Sequence, residues 1–379
     1  MNVTIVLPSL DPDEKLNLVV DGLLDKGFKD IVLVNDGSHE DHLEPFEIAA
    51  QHPEVTVLTH EVNKGKGRGL KTAFEFVLKN RPDSLGVVTV DGDNQHTSKD
   101  ILKCAERMIA EKDKVVLGCR DFNQANVPPK SRFGNKTTSR VFRILCGMKI
   151  SDTQTGLRAI PRQYLELLVN TKGERFEYET EMFFALHKNH IDWVEETIET
   201  VYIEDNASTH FNPFLDSIKI YRIILRFVFK YAMASLICCV IDIGLFNLLD
   251  IIFRKTGTLA NVEIKDKIGQ FFVKIFSGGD NEVALQVLVA TVVARVVSSI
   301  VNYFLNRNAV FESKTSVKKS VWKYYILCIV QMIFAAVGVM LMTRLFGANE
   351  IREGLIYKPV VDVILFFASY QVQQRWVFR

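Results

Sequence analysis

Apolar and polar positions alternate with two different periods along this chain, and the change of period divides it. In the first 120 residues, "VTIVL" (3–7), "IVLVN" (31–35), "VTVL" (55–58), "GVVTVD" (86–91) and "VVLG" (115–118) are short runs rich in β-branched residues, which predict strands. Segments 14–26, 66–79 and 98–110 have helical spacing instead. Leu70, Phe74, Val77 and Leu78 share one face of the second, and Ile101, Leu102, Ala105 and Met108 one face of the third. Strands that alternate with helices imply a Rossmann-like α/β domain, with a mostly parallel sheet covered on both faces. Ligands of such sheets bind at the carboxyl ends of strands. Asn35-Asp36-Gly37-Ser38 and Asp91-Gly92-Asp93 both stand at such ends, so they are expected to share one crevice.

From about Phe227 the chain becomes largely apolar. Four segments, near 230–253, 285–306, 325–346 and 357–374, approach the roughly 20 residues needed to cross a hydrocarbon layer of about 30 Å. They predict an all-α transmembrane domain of four helices, the last weakened by Lys358, Pro359 and Asp362 in its first turns. Ahead of them, Leu215, Ile218, Tyr221, Ile224 and Leu225 oppose Lys219, Arg222 and Arg226, the pattern of a helix lying on a membrane surface. The expected organisation is therefore 1–211, a soluble domain; 212–226, an interfacial helix; and 227–379, a membrane domain. An even number of crossings places both ends of the membrane region on one side. Arg307, Lys314, Lys318, Lys319 and Lys323 follow the second span, and Arg375 and Arg379 close the chain. This distribution predicts a multi-pass protein of the cell membrane with its N-terminal domain in the cytoplasm. The 254–284 loop weighs against it, with five Lys/Arg to four acidic residues. "FKYAMAS" (229–235) and "WKYYILC" (322–328) open the first and third spans alike, and "NRNAVF" (306–311) and "QRWVF" (374–378) close the second and fourth. That order suggests a duplicated two-helix hairpin, although any membrane interface favours aromatic and basic residues. Asp242, Arg295 and Asp362 lie inside the spans, as functional groups or as a structural Arg–Asp pair.

Composition narrows the function. A formal net charge of +1 over 379 residues gives no case for a nucleic-acid binder. The six cysteines contain no CxxC pair, which argues against a disulfide framework or a zinc site and suits a reducing cytosol. "MNVTIVLPSLDPDEK" has no basic n-region, so no signal peptide is expected in it.

The chemistry rests on carboxylates. Asp91 and Asp93, at a strand end with Gly92 between them, form either a polar turn or a seat for a hard divalent cation, Mg²⁺ or Mn²⁺, which takes oxygen ligands and substrate phosphates. An EF-hand is excluded, because its glycine would fall on His96 and its glutamate on Leu102. "VNDGSHED" (34–41) is either a similar strand-end site or a helix start capped by Ser38 or Asp41. "NKGKGRG" (63–69) has neither P-loop nor dinucleotide-fingerprint spacing, but its glycines admit a ligand and Lys66 and Arg68 add charge.

Taken in order, "LPSLDPDEK", "VNDGSHED", "NKGKGRG", "DGDNQH", "LGCR" and "DTQTGLRAI" resemble glycosyltransferase family 2, and most of all its polyprenyl-phosphate branch, over essentially 1–211. The resemblance implies a GT-A domain. It implies that Pro8 and Asp36 contact a nucleoside, with Asp11, Glu14, Lys66 and Asp91 on the nucleotide side. It implies that Asp91, Asp93 and Gln95 surround the metal and diphosphate, and that Arg120 and Arg132 bind phosphate oxygens. Asp152, Gln154 and Arg158 would line the sugar and acceptor side, with Glu179 and Glu181 nearby. Where the family often has Asn then Glu after the first strand, this chain has Asp11-Pro12-Asp13-Glu14, so the carboxylate in the Glu's place is open. The apolar half looks like a GtrA-type membrane domain. "QQRW" (373–376) resembles part of the Q-x-x-R-W of processive synthases, but Val372 stands three before Arg375. A polymerising synthase is therefore not expected. The expected reaction is inverting transfer from a nucleotide sugar, a UDP-sugar by analogy, to undecaprenyl or a similar polyprenyl phosphate. The partners are these two substrates and the membrane, with homo-oligomers plausible. The alternative is a bifunctional synthase and flippase, in which the membrane domain translocates the lipid-linked sugar.

Overall fold

A computed structural model describes residues 1–124, 127–199, 215–257, 281–313, 315–347 and 356–378. The chain divides into two compact units, Met1–Ile224 and Leu225–Arg379, each described here by itself. The expected boundary at 211, most of the 254–284 loop and Lys314 lie outside the described residues. So do most side chains of the interfacial segment.

The first unit is built on a seven-stranded sheet: β1 (Thr4–Ser9), β2 (Ile31–Asn35), β3 (Val55–Thr59), β4 (Gly86–Thr89), β5 (Val115–Arg120), β6 (Arg158–Pro161) and β7 (Trp193–Ile198). Their order is β3-β2-β1-β4-β6-β5-β7. β1 pairs parallel to β2 and β4, β2 parallel to β3, and β5 parallel to β7. β6 runs antiparallel between β4 and β5. The sheet is therefore mostly parallel, as expected, and mixed only through β6, which alone runs against the other six strands. The buried runs make the core: Ile5, Leu7, Ile31, Leu33, Val88 and Val116 pack with Leu16, Leu23 and Ile101 from the covering helices. Those helices include α1 (Lys15–Asp25), α2 (Glu44–Ala49), α3 (Lys66–Asn80), α4 (Ser98–Glu111), α5 (Pro129–Val141), α6 (Leu165–Val169) and α7 (Glu177–Lys188). At the switch point between β1 and β4 the connections depart to different sides, which opens a crevice at the strands' carboxyl ends.

The second unit is helical: α8 (Leu215–Thr256), which begins in the first unit, then α9 (Asn281–Leu305), α10 (Val317–Phe346) and α11 (Lys358–Val372). Segments Leu225–Thr256, Val289–Val310 and Val317–Phe346 are long and apolar enough to cross a membrane. α11 has only 15 α-helical residues, about 22 Å at 1.5 Å per residue, before a π-turn at Gln373–Val377. Three candidate spans therefore stand where four were expected. α9 ends in a matching π-turn, Asn306–Val310.

Candidate active site

The crevice is assembled from loops that leave β1, β2 and β4. Asp36 is 3% exposed, and its carboxylate is consumed locally. It accepts hydrogen bonds from the Lys64 and Gly65 amides at 3.0 and 2.7 Å and lies 2.6 Å from His60 Nδ1. An unpaired buried carboxylate is costly, so these amides are drawn to it. The result fixes Gly65, whose φ of +100° suits only glycine, as the N-cap of α3. The Asp36 carboxylate, for which the resemblance implied a nucleoside contact, thus holds the loop in place. Asp11 closes the neighbouring edge: it accepts from the His39 amide at 2.8 Å, and its own amide donates to Ser38 Oγ at 2.9 Å. Burial opposes ionisation of Asp11, but the His39 amide and ring hold its carboxyl below the ordinary range. Pro8 is half-buried on β1 and Glu14 is exposed at the start of α1, with no capping bond from its side chain.

Held by that loop, Lys66 points into the crevice. Its Nζ lies 2.7 Å from Asp91 Oδ1 and 3.0 Å from Glu179 Oε1 on α7. Burial opposes the charge on both Lys66 and Asp91, but their attraction prevails, raising the ammonium's pKa and lowering the carboxyl's. His96 is 8% exposed, its Nε2 is 3.9 Å from Asp91 Oδ2, and burial favours its neutral form. Gly156 packs against Asp91 so closely that a Cβ there would stand 2.9 Å from the carboxyl carbon. Asp93 behaves differently. Burial first, and then the charge of Asp91, push its pKa up, while the Gln95 amide donates to it at 3.1 Å.

These residues fit a hard cation only in part. Asp91, Asp93 and the Gln95 amide oxygen are the donor type Mg²⁺ or Mn²⁺ takes, and the repulsion that lifts Asp93 is what a cation would relieve. Among the described residues, no three His, Cys, Asp or Glu side chains converge as a metal cage, so substrate oxygens would have to complete the shell. The buried thiols of Cys104, Cys119 and Cys146, pushed up to about 12 chiefly by burial, are not poised as nucleophiles.

The arginines divide. Arg120, at the end of β5, grips Asp152 with Nε and Nη2 at 2.8 and 3.2 Å, and Asp152 has no exposed surface. Asp152, which the resemblance put on the sugar and acceptor side, is thus buried against Arg120. It orients Arg120 and, through the Gln154 amide at 3.1 Å, the turn that carries Gly156. Arg158, put by the resemblance on the same side, is buried as well. It is 2% exposed, donates to the Thr155 and Glu179 carbonyls at 3.1 and 2.9 Å, and lies 4.4 Å over the Phe183 ring, as a clamp between β6 and α7. Arg132 donates to the Gln124 carbonyl at 2.8 Å, which closes the loop before α5. Beside Arg120 lies a cavity of about 450 Å³, lined among others by Asp121, Asn135, Arg140, Arg143, Lys149 and Ser151.

Glycosyl transferase family 2 matches residues 4–168, and the GtrA/DPMS transmembrane domain matches residues 267–378. The chain joins a family 2 glycosyltransferase to a GtrA/DPMS membrane domain. The UDP-N-acetylglucosamine–dolichyl-phosphate N-acetylglucosaminyltransferase of Methanococcus voltae is 26% identical over 247 residues, covering 59% of this chain and 95% of its own. Glycosyltransferase AglJ of Haloferax volcanii is 26% identical over 219 residues, covering 56% of this chain and 68% of its own. Among solved structures, glucosyl-3-phosphoglycerate synthase from Mycobacterium tuberculosis aligns at a TM-score of 0.45 and 13% identity, over 59% of this chain and 79% of that one.

Within this glycosyltransferase, several contacts had little signal in the sequence. Arg68, read only as adding charge to the loop, binds Glu174 at 2.6 Å together with Lys71 at 3.1 Å. Asn135 ties α5 to the Asp152 turn by donating to the Ser151 carbonyl at 2.6 Å. Glu179 was expected only near the acceptor, yet it is the second anchor of Lys66.

Proposed function

We propose that the glycosyltransferase moves a sugar from a UDP-sugar to a polyprenyl phosphate at the cytoplasmic face of the cell membrane, with inversion at the anomeric carbon. The observation that carries this reading is the placement of Asp91, Asp93 and Lys66 together at the β1/β4 switch point of a chain that also has membrane-spanning helices. The name of the Methanococcus voltae relative supplies the donor and acceptor classes. Asp91, Asp93 and Gln95 would hold Mg²⁺ or Mn²⁺, which when bound offsets the negative charge of a diphosphate. Lys66 shares that task from the other side of Asp91. The cavity beside Arg120 suits the acceptor phosphate, with Arg120 already oriented by Asp152.

An acceptor phosphate is ionised near pH 7, so no general base is needed. One of its oxygens bonds to the anomeric carbon as the bond from that carbon to the diphosphate oxygen breaks, and the nucleoside diphosphate leaves with the electron pair. The protein's part is alignment and charge neutralisation. In the membrane half, the aromatic and basic residues Lys230, Arg307, Trp322, Lys323, Arg375 and Trp376 would lie at the cytoplasmic interface, and α11 with its π-turn would form a fourth crossing.

The test is lipid extraction after incubating the membrane-embedded protein with a panel of labelled UDP-sugars, a polyprenyl phosphate and Mn²⁺. Wild type should give a labelled lipid with at least one sugar, and Asp93→Asn should lower the rate about a hundredfold or more. An Asp93→Asn variant as active as wild type would remove the metal from the reading, and no labelled lipid from any donor would end it.

A further inference from the structure

The membrane unit is built twice over, and the comparison of its halves isolates one site. Lys230 on α8 donates to the Ala309 carbonyl at 3.2 Å; Lys323 on α10 donates to the Trp376 carbonyl at 2.9 Å. Tyr231 packs on Tyr370 with centroids 5.2 Å apart at 61°, and Tyr324 packs on Tyr303 at 5.4 Å and 66°. Asn306 donates to Asn302 at 2.8 Å, and Gln373 to Ser369 at 3.1 Å. Both π-turns close by the same bond, Phe311 to the Asn306 carbonyl and Phe378 to the Gln373 carbonyl. Where the halves meet, Asn306 donates to Gln373 at 3.1 Å, and the Phe311 and Phe378 rings stack at 5.3 Å. Apart from Ala309 and Trp376, which contribute only a backbone carbonyl, every equivalent pair so far is polar with polar or aromatic with aromatic. These positions are the frame that both hairpins need.

Three mid-helix positions break the equivalence. In the first half, Arg295 on α9 lies 3.4 Å from Asp242 on α8, and Ser298 donates to Asp242 at 3.1 Å. The matching residues of the second half are Asp362, Ala335 and Leu365. Asp242 follows Tyr231 by about eleven residues and Arg295 precedes Asn306 by the same number, so both sit about 16 Å from the interfacial end, near the middle of a roughly 30 Å layer. Asp242 is 17% exposed, but the Arg295 side chain is 74% exposed, between the exposed Val292 and Val296. An ion pair that only joined two helices within the layer would have no need to leave its cation outward. This one buries the acid and presents the guanidinium outward, in a layer where an exposed charge is strongly disfavoured without an anion beside it.

We infer that Arg295, braced by Asp242 and Ser298, is a binding site within the bilayer for the phosphate group of a lipid. A guanidinium has five N–H donors in a planar fork that matches phosphate oxygens, and the Arg295 side chain stays mostly exposed beside its contact with Asp242. The half that lacks the triad shows that the fold does not require it. The inference depends on the membrane placement of this unit and not on the transfer chemistry of the first.

The test uses the full chain in lipid nanodiscs with a diazirine-bearing farnesyl phosphate, and sites of labelling are mapped by mass spectrometry. Labelling is expected on α9 around Val292, Val296 and Ser299, competed by excess farnesyl phosphate but not by farnesol or inorganic phosphate. Arg295→Gln should lower it at least tenfold and leave labelling of the first unit unchanged, and Arg295→Lys, which keeps the charge but loses the fork, should lower it by less. The Asp242→Asn, Arg295→Gln double variant, which leaves no unpaired acid, should lose it equally. Asp93→Asn should retain it while losing transfer, which separates this site from the catalytic reading. Labelling of α9 that survives in both Gln variants, or that farnesol competes away as well as farnesyl phosphate does, would overturn the inference.

Discussion

Replacing Lys66 by methionine tests the centre of the crevice most directly. The side chain keeps its length and loses its charge. Lys66, Asp91 and Glu179 are 18%, 27% and 16% exposed, so the bridge is mostly withdrawn from water. An exposed ion pair contributes at most about 1 kcal/mol, whereas breaking a buried one by removing a single partner costs about 3–5 kcal/mol, because a charge is left uncompensated. Here two carboxylates would be left facing each other, so a loss of about 3 kcal/mol in the first unit is expected. For a domain of this size that corresponds to a fall of roughly 6–12 °C in its unfolding temperature. Repeating the scan with Mn²⁺ and UDP should restore at least half of the shift, since a cation at Asp91 and Asp93 takes over the neutralisation. Tryptophan fluorescence can follow it, with Trp193 in the first unit. If the variant melted with wild type, or melted lower by the same amount with and without Mn²⁺ and UDP, the reasoning that links Lys66 to the cation site would be refuted.

Three further outcomes are expected. Gly156→Ala should cost about 1–3 kcal/mol and most of the activity, because its Cβ meets the Asp91 carboxyl, while Gly134→Ala, whose Cβ meets nothing within 4 Å, should be neutral or slightly stabilising by thermal scan. Asn306→Leu and Gln373→Leu should destabilise the membrane unit by similar amounts, about 0.5–2 kcal/mol each in denaturant titration, and an effect confined to one would contradict the paired frame. Asp11, whose folded carboxyl titrates below its ordinary value of 3.8, stabilises the first unit above that value and loses the contribution as pH falls through the folded pKa. Asp11→Asn should therefore flatten the acid limb of a stability profile and leave the slope near neutrality unchanged.

The parallel strands were legible because a strand buried on both faces must be continuously apolar, as at 3–7 and 31–35. β6 was not: its four residues begin with an arginine, and its direction follows from the return path rather than from composition. The strand-end carboxylates were visible as a set, but their division of labour was not. Asp36 and Asp152 spend their charge on backbone amides and on Arg120, while Asp91 shares Lys66 with Glu179 from a distant segment. Nothing in a run of residues distinguishes a carboxylate that faces a ligand from one that folds a loop. In the membrane half, hydropathy located the helices, and the repeated aromatic–Lys–Tyr steps marked residues that the fold pairs across the two hairpins.

The bonds from Asp36 to the amides of Lys64 and Gly65 also bear on the speed of donor capture. A glycine-rich loop left to itself samples many shapes, and a ligand that needs one of them must wait for it or hold it still. In this crevice the loop is anchored to the sheet by a buried carboxylate. A nucleotide sugar would meet a surface already in its binding shape, and its association should follow the simple kinetics of two rigid bodies rather than the slower, saturable rise of a site that closes after contact.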